Sequence, residues 1–114
     1  MNVSDAADVN RFLYCGAQDD PDMTAKLKKE MLACLKKEKD SAVHWNILGH
    51  IYYIEEDYAA AAGCFRKCAL LDGDNEHYLV MLSFAHRHEG DYSRSERIHM
   101  NLLKRRNPGL IVKG

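Results

Sequence analysis

The sequence predicts an all-α fold of antiparallel helix pairs stacked into a solenoid, and three observations predict it. Only two prolines occur, Pro21 and Pro108, one near each end, and the stretch between them is rich in Ala, Leu, Lys and Glu, broken by short Asp, Gly and Asn clusters. That is the pattern of helices joined by tight turns. Val, Ile and Thr never form an alternating run, so no strand is expected. The chain also matches itself at an offset of 34 residues: Asp57-Tyr58 recurs as Asp91-Tyr92, Leu48 as Leu82, Cys34 as Cys68 and Leu102, Leu27 as Ala61 and Ser95, and Met31 as Phe65 and His99. A repeat of this length is one helix–turn–helix unit, unable to bury its apolar face alone and therefore stacked on its neighbours.

Six helices follow, over about 5–17, 23–38, 42–55, 58–71, 76–89 and 92–105. Their starts carry N-cap side chains in Ser4, Asp22, Ser41, Asp57, Asn75 and Asp91, whose oxygens accept from the free N–H groups of a first helical turn. Asp19, Asp20 and Asp22 stand where the dipole of the second helix favours acid, and Lys104, Arg105 and Arg106 stand where that of the last favours base. Over 42–55, Trp45, Leu48, Gly49 and Tyr52 fall at i, i+3, i+4 and i+7, one helix face. Gly49 admits a close neighbour, and Ala61, Phe65 and Cys68 form the facing stripe of the next helix.

The middle unit carries a family resemblance. Trp45, Leu48, Gly49 and Tyr52 match W-x2-L-G-x2-Y, and Ala61 with Phe65 matches A-x3-F at the right distance. By these residues the chain resembles tetratricopeptide (TPR) repeat proteins. Gly73, in Leu71-Asp72-Gly73-Asp74-Asn75, replaces the family's usual proline, and both residues stop a helix. The single domain 1–114 then holds about three repeats. Residues 42–75 carry the full signature. Residues 76–109 put Leu79, Ser83 and His86 at the Trp, Gly and Tyr positions, and in 8–41 the first helix carries Arg11, Tyr14 and Cys15.

The resemblance implies a concave groove lined by the first helix of each unit. Carried along the 34-residue offset, it comprises Phe12, Asn46, His50, Tyr53, His77, Val80, Phe84 and Arg87. The expected partner is another protein or a peptide segment with apolar or aromatic anchors, bound by an adaptor or chaperone-like subunit. The competing reading makes Val80 and Phe84 ordinary core residues. TPR domains that grip acidic chaperone tails use Lys, Asn and Arg on these faces; the matching positions here are Phe12, Gly16, Ile47, His77 and Met81, so that ligand is not expected. Two alternatives stand beside the adaptor. Pro108–Gly114 is too short for a capping helix, and bare Leu102, Leu103, Leu110, Ile111 and Val112 would make the chain a self-associating or end-docking subunit of a larger assembly. Small helical-repeat chaperones of secretion systems share the size and the apolar groove, and the stretch from Trp45 to Pro108 also looks somewhat like units of the ribosome-docking subunit of N-terminal acetyltransferases.

Composition narrows the field further. Apolar residues make up 46% and charged residues 29% of 114 residues, with a net charge of -1. That is a globular balance without a general pull toward nucleic acid or an anionic membrane. Lys26, Lys28, Lys29, Lys36, Lys37 and Lys39 read as a solvated face. No apolar run reaches the roughly 20 residues of a membrane span, and Met1–Asp5 lacks the opening of a secretory leader. Cys15, Cys34, Cys64 and Cys68 fall within expected helices, as small buried residues of a reducing compartment would, which makes the cytoplasm the expected location. Cys64 and Cys68, one turn apart, would be strained as a disulfide. Of the six histidines only His50 and His77 are placed to converge, and no spacing matches a metal site. P-loop, nucleotide-fingerprint, G-x-S-x-G and H-E-x-x-H motifs are missing. The expectation is therefore no catalysis, no cofactor and no metal.

Overall fold

The computed structural model describes residues 20–107 and Gly109. The helix expected over 5–17, its cap Ser4 and the groove residue Phe12 lie outside the described residues. Five helices occupy the described residues, with no strand among them: α1 (Pro21–Lys37), α2 (Ala42–Ile54), α3 (Tyr58–Leu71), α4 (Glu76–Glu89) and α5 (Tyr92–Arg106). Four of the five expected caps are in place. Ser41 accepts from the His44 N–H, Asp57 from Ala60, Asn75 from His77 and Asp91 from Arg94. The cap of α1 is a correction: Asp20, not Asp22, accepts from the Met23 N–H at 3.1 Å. Pro21 decides it, because its fixed φ suits the first helical residue and its missing N–H would have no intrahelical partner there.

The 34-residue offset recurs in the backbone. α2 and α4 start at Ala42 and Glu76, α3 and α5 at Tyr58 and Tyr92. The turn after α2 closes with Glu56 N–H donating to the Tyr53 carbonyl and Asp57 N–H to Tyr52. The turn after α4 repeats both bonds from Gly90 to Arg87 and from Asp91 to His86. Both turns need a left-handed residue, which is Gly90 at φ 89° in one and Glu56 at φ 63° in the other. Glycine takes that conformation freely, whereas a side chain crowds the carbonyl.

Each helix packs on the next in sequence, so the molecule is drawn out to 48 × 26 × 23 Å with a radius of gyration of 15.0 Å. A compact domain of this length would have about 12–13 Å. One core cluster joins Leu27, Met31 and Leu35 of α1 to Ile47, Leu48 and Ile51 of α2 and Cys64 of α3. The second joins Ala61, Ala62 and Phe65 of α3 to Met81, Leu82 and Ala85 of α4, and Tyr52 packs against both. Gly49 sets the α2–α3 spacing: a Cβ there would lie 2.8 Å from Phe65 Cε1.

The same offset relates α4–α5 to α2–α3, with different chemistry. Ser83, Ser95 and His99 stand where the preceding unit has Gly49, Ala61 and Phe65. Ser83 Oγ lies 3.0 Å from Ser95 Oγ and 2.8 Å from His99 Nε2, so a polar cluster replaces the aromatic-on-glycine contact. No helix among the described residues is long and apolar enough to cross a membrane.

Candidate functional site

The turns after α2 and α4 lie at the same end of their units, and they gather aromatic side chains there. Tyr53 closes α2, Tyr58 opens α3, Phe84, Arg87 and His88 occupy the last turns of α4, and Tyr92 opens α5. Tyr53, Phe84, Arg87, His88 and Tyr92 line an open cleft of about 530 Å³. His88 and Tyr58 stack at 4.5 Å between ring centroids and 13° between planes. Tyr53 meets both edge-on, at 5.3 Å to Tyr58 and 5.4 Å to His88. These contacts lock the floor of the cleft, since aromatic pairs in edge-on or offset geometry hold each other at a cost to rotation. Burial raises the Tyr53 phenol above its ordinary range, with Tyr58 adding to it, so Tyr53 is a neutral hydroxyl that can donate or accept.

Two walls of this cleft are unusually bare. Phe84 is 41% exposed and Tyr92 66% exposed. Arg87 is exposed as well and makes no ion pair among the described residues, whereas Lys28, His86, Arg94 and Arg106 each have an acidic neighbour. The cleft therefore offers flat apolar surface, hydroxyl groups and one guanidinium free to take a planar anion.

The expected groove residues divide into several places. Tyr53, Phe84 and Arg87 come together in this cleft. Val80, one turn before Phe84, lines a separate cleft with α5. His50 and His77 stack at 5.7 Å and 19°, the one expected convergence of histidines, but His50 also meets Phe65 edge-on at 5.1 Å and is only 3% exposed. Burial holds the His50 imidazole down to about 4, and His77 beside it adds to the effect. Asn46 is 4% exposed, its carboxamide oxygen without a hydrogen-bond partner among the described residues. Both residues are thus interior, not lining. The cause is visible in α2, which carries apolar side chains around most of its circumference and is covered accordingly. Ile47 and Met81 are also buried.

Tyr58, His88 and Tyr92 were not among the expected residues. His88 lies one turn beyond Phe84, and Tyr92 is Tyr58 displaced by 34, so helical spacing and the repeat offset together would have found them. Elsewhere, burial pushes the thiols of Cys64 and Cys68 up to about 12, keeping them protonated core groups, and Cys68 Sγ donates to the Ala42 carbonyl at 3.4 Å. No three His, Cys, Asp or Glu side chains converge as metal ligands among the described residues. No family model, curated protein or solved structure matches the chain.

Proposed function

We propose that this chain is a TPR-type helical-repeat adaptor that holds a segment of another polypeptide in the Tyr53–Phe84–Arg87–His88–Tyr92 cleft. The observation that carries the reading is the pairing of bare aromatic walls with an exposed Arg87 that makes no ion pair among the described residues. Covering the remaining surface of Phe84 or Tyr92 is worth on the order of 2 kcal/mol each. A carboxylate on the exposed Arg87 adds up to about 1 kcal/mol. Rigid aromatics flanked by a guanidinium have the composition of binding hot spots. The stacked Tyr58–His88 pair keeps the surface preformed, which reduces the entropy lost when a segment settles on it.

The bound segment brings an apolar or aromatic side chain onto Phe84 and Tyr92 and a carboxylate to Arg87, with Tyr53 hydrogen-bonding its backbone. The mechanism is capture and presentation, and no side chain of the chain is assigned a chemical step. Selection of displayed random peptides against the purified chain tests this. Enriched peptides carry an aromatic or large apolar residue close to Asp, Glu or a C-terminus; Phe84→Ala weakens them about tenfold or more and Arg87→Ala by a factor of about three to five. Peptides that bind both variants as well as the parent would overturn the reading.

A further inference from the structure

We propose that the outer face of α1, α3 and α5 is a docking surface for an anionic lipid bilayer, which it meets with six cations and three apolar side chains. The face follows from helical spacing and the repeat. In α3, Ala61, Ala62, Cys64, Phe65 and Cys68 are buried. The opposite side of that helix is positions 59, 63, 66, 67 and 70, at i, i+4, i+7, i+8 and i+11. An offset of 34 carries these to 25, 29, 32, 33 and 36 of α1 and to 93, 97, 100, 101 and 104 of α5. There they stand opposite the buried Leu27, Met31 and Leu35 in one helix and the buried Ser95 and Leu102 in the other. All these positions are exposed except Lys67 and Met100, which are half-buried.

Charge is segregated onto this face. It carries Lys29, Lys36, Arg66, Lys67, Arg97 and Lys104 and no acid. None of the six makes an ion pair among the described residues. The basic residues that do, Lys28, His86, Arg94 and Arg106, all stand off the face. Asp22 borders it in the first turn of α1, and Glu30 and Glu96 lie to its sides. The remaining acids among the described residues sit in turns or at helix ends, as Glu55, Glu56 and Asp57 do. A net charge of -1 therefore conceals one surface of a single sign. Each cation held near an anionic leaflet strengthens adsorption about fivefold.

The apolar residues select which polyanion. Leu70, one turn beyond Arg66 and Lys67 on the middle helix, is 77% exposed, and Leu32 on α1 is 41% exposed. Met100 holds the equivalent place to Leu32 on α5. Against a nucleic acid these side chains would face phosphate and water, and no aromatic stands on the face to stack a base. A bilayer accepts both kinds of group, with cations among its headgroups and leucines at the acyl boundary just below. The other positions are Ala, Gly, Ser or Asn, so no bulky side chain holds the helices off the surface. No helix among the described residues is long and apolar enough to cross the bilayer, so the contact is adsorption. The Tyr53–Phe84–Arg87–His88–Tyr92 cleft shares no residue with this face, and the two surfaces are tested separately.

The test is flotation of the full chain with lipid vesicles. Phosphatidylcholine vesicles containing about 30% phosphatidylserine are expected to bind it about tenfold or more tighter than pure phosphatidylcholine, a difference that shrinks in high salt. Arg66→Glu weakens that binding about tenfold or more. Lys39→Glu, an equal change of net charge in the α1–α2 turn and off the face, weakens it less than about threefold. Leu70→Ser, at a site open to solvent, weakens it about threefold or more. Far-UV circular dichroism matching the parent shows that each variant is folded. Equal binding to both kinds of vesicle, binding to neither, or equal losses from Arg66→Glu and Lys39→Glu would overturn the proposal. So would indifference to Leu70→Ser, or tighter binding to a random-sequence DNA duplex than to the anionic vesicles, which would assign the face to nucleic acid.

Discussion

Gly49→Ala gives a test whose sign, not just its size, depends on the packing. A methyl group at Gly49 would lie 2.8, 3.0 and 3.1 Å from Phe65 Cε1, Cζ and Cδ1. Phe65 is completely buried between α2 and α4 and has no open space to swing into. Forcing α2 and α3 apart, or Phe65 off its rotamer, costs about 1–3 kcal/mol. Alanine in a helix interior is intrinsically favoured over glycine by about 1 kcal/mol, so the net expectation is a loss of up to about 2 kcal/mol. Gly63, in the middle of α3, is the control: a Cβ there meets nothing within 4 Å, and Gly63→Ala is expected to stabilise by up to about 1 kcal/mol. Urea titrations followed by far-UV circular dichroism measure both, with the slopes compared to confirm that only stability has changed. If Gly49→Ala stabilises as much as Gly63→Ala, the close α2–α3 contact does not exist and the reasoning is refuted.

Glu56, at φ 63° where the next turn has Gly90, predicts that Glu56→Gly raises stability by about 1 kcal/mol in the same titration. His50 predicts a pH dependence. Its imidazole is held to about 4 in the folded chain against 6.5 when unfolded, so its contribution is constant above about pH 6.5. As pH falls from 6.5 toward 4, the unfolded chain takes up a proton that the folded one refuses, and stability drops by about 3 kcal/mol in total. Replacement by the residue of the following unit, His50→Phe, removes that part of the profile, measured as urea stability against pH. Ser83→Ala strands Ser95 Oγ and His99 Nε2, costing about 1–3 kcal/mol. The triple exchange Ser83→Gly, Ser95→Ala and His99→Phe, which copies Gly49, Ala61 and Phe65, costs less than that single change in thermal unfolding.

The helices were legible because several local signals agreed at each boundary. Asp57 and Asp91 cap where a polar residue precedes a helical pattern, and the turn between the two units contains Gly73 and the turn within the second contains Gly90. α1 was misplaced by two residues because three aspartates compete near its start and only the backbone preference of Pro21 separates them. The Trp45 stripe and the close approach at Gly49 follow from helical spacing alone. The groove was less legible. Spacing placed Asn46 and His50 on the face opposite Trp45, but which face meets solvent depends on tertiary cover, and His50 is closed in by Phe65 and His77. Tyr58, His88 and Tyr92 belong to helix ends, where side chains from different helices converge in a way that no single helical period encodes.

The proposed function stands on the cleft at the α2–α3 and α4–α5 turns. Amide chemical-shift mapping of the full chain, titrated with a peptide selected as above, tests it. The expected result is a contiguous set of shifts centred on Tyr53, Phe84, Arg87, His88 and Tyr92, reached only at higher peptide concentration in Phe84→Ala and Arg87→Ala. Shifts confined to other faces, with these residues unmoved at saturation, would contradict it.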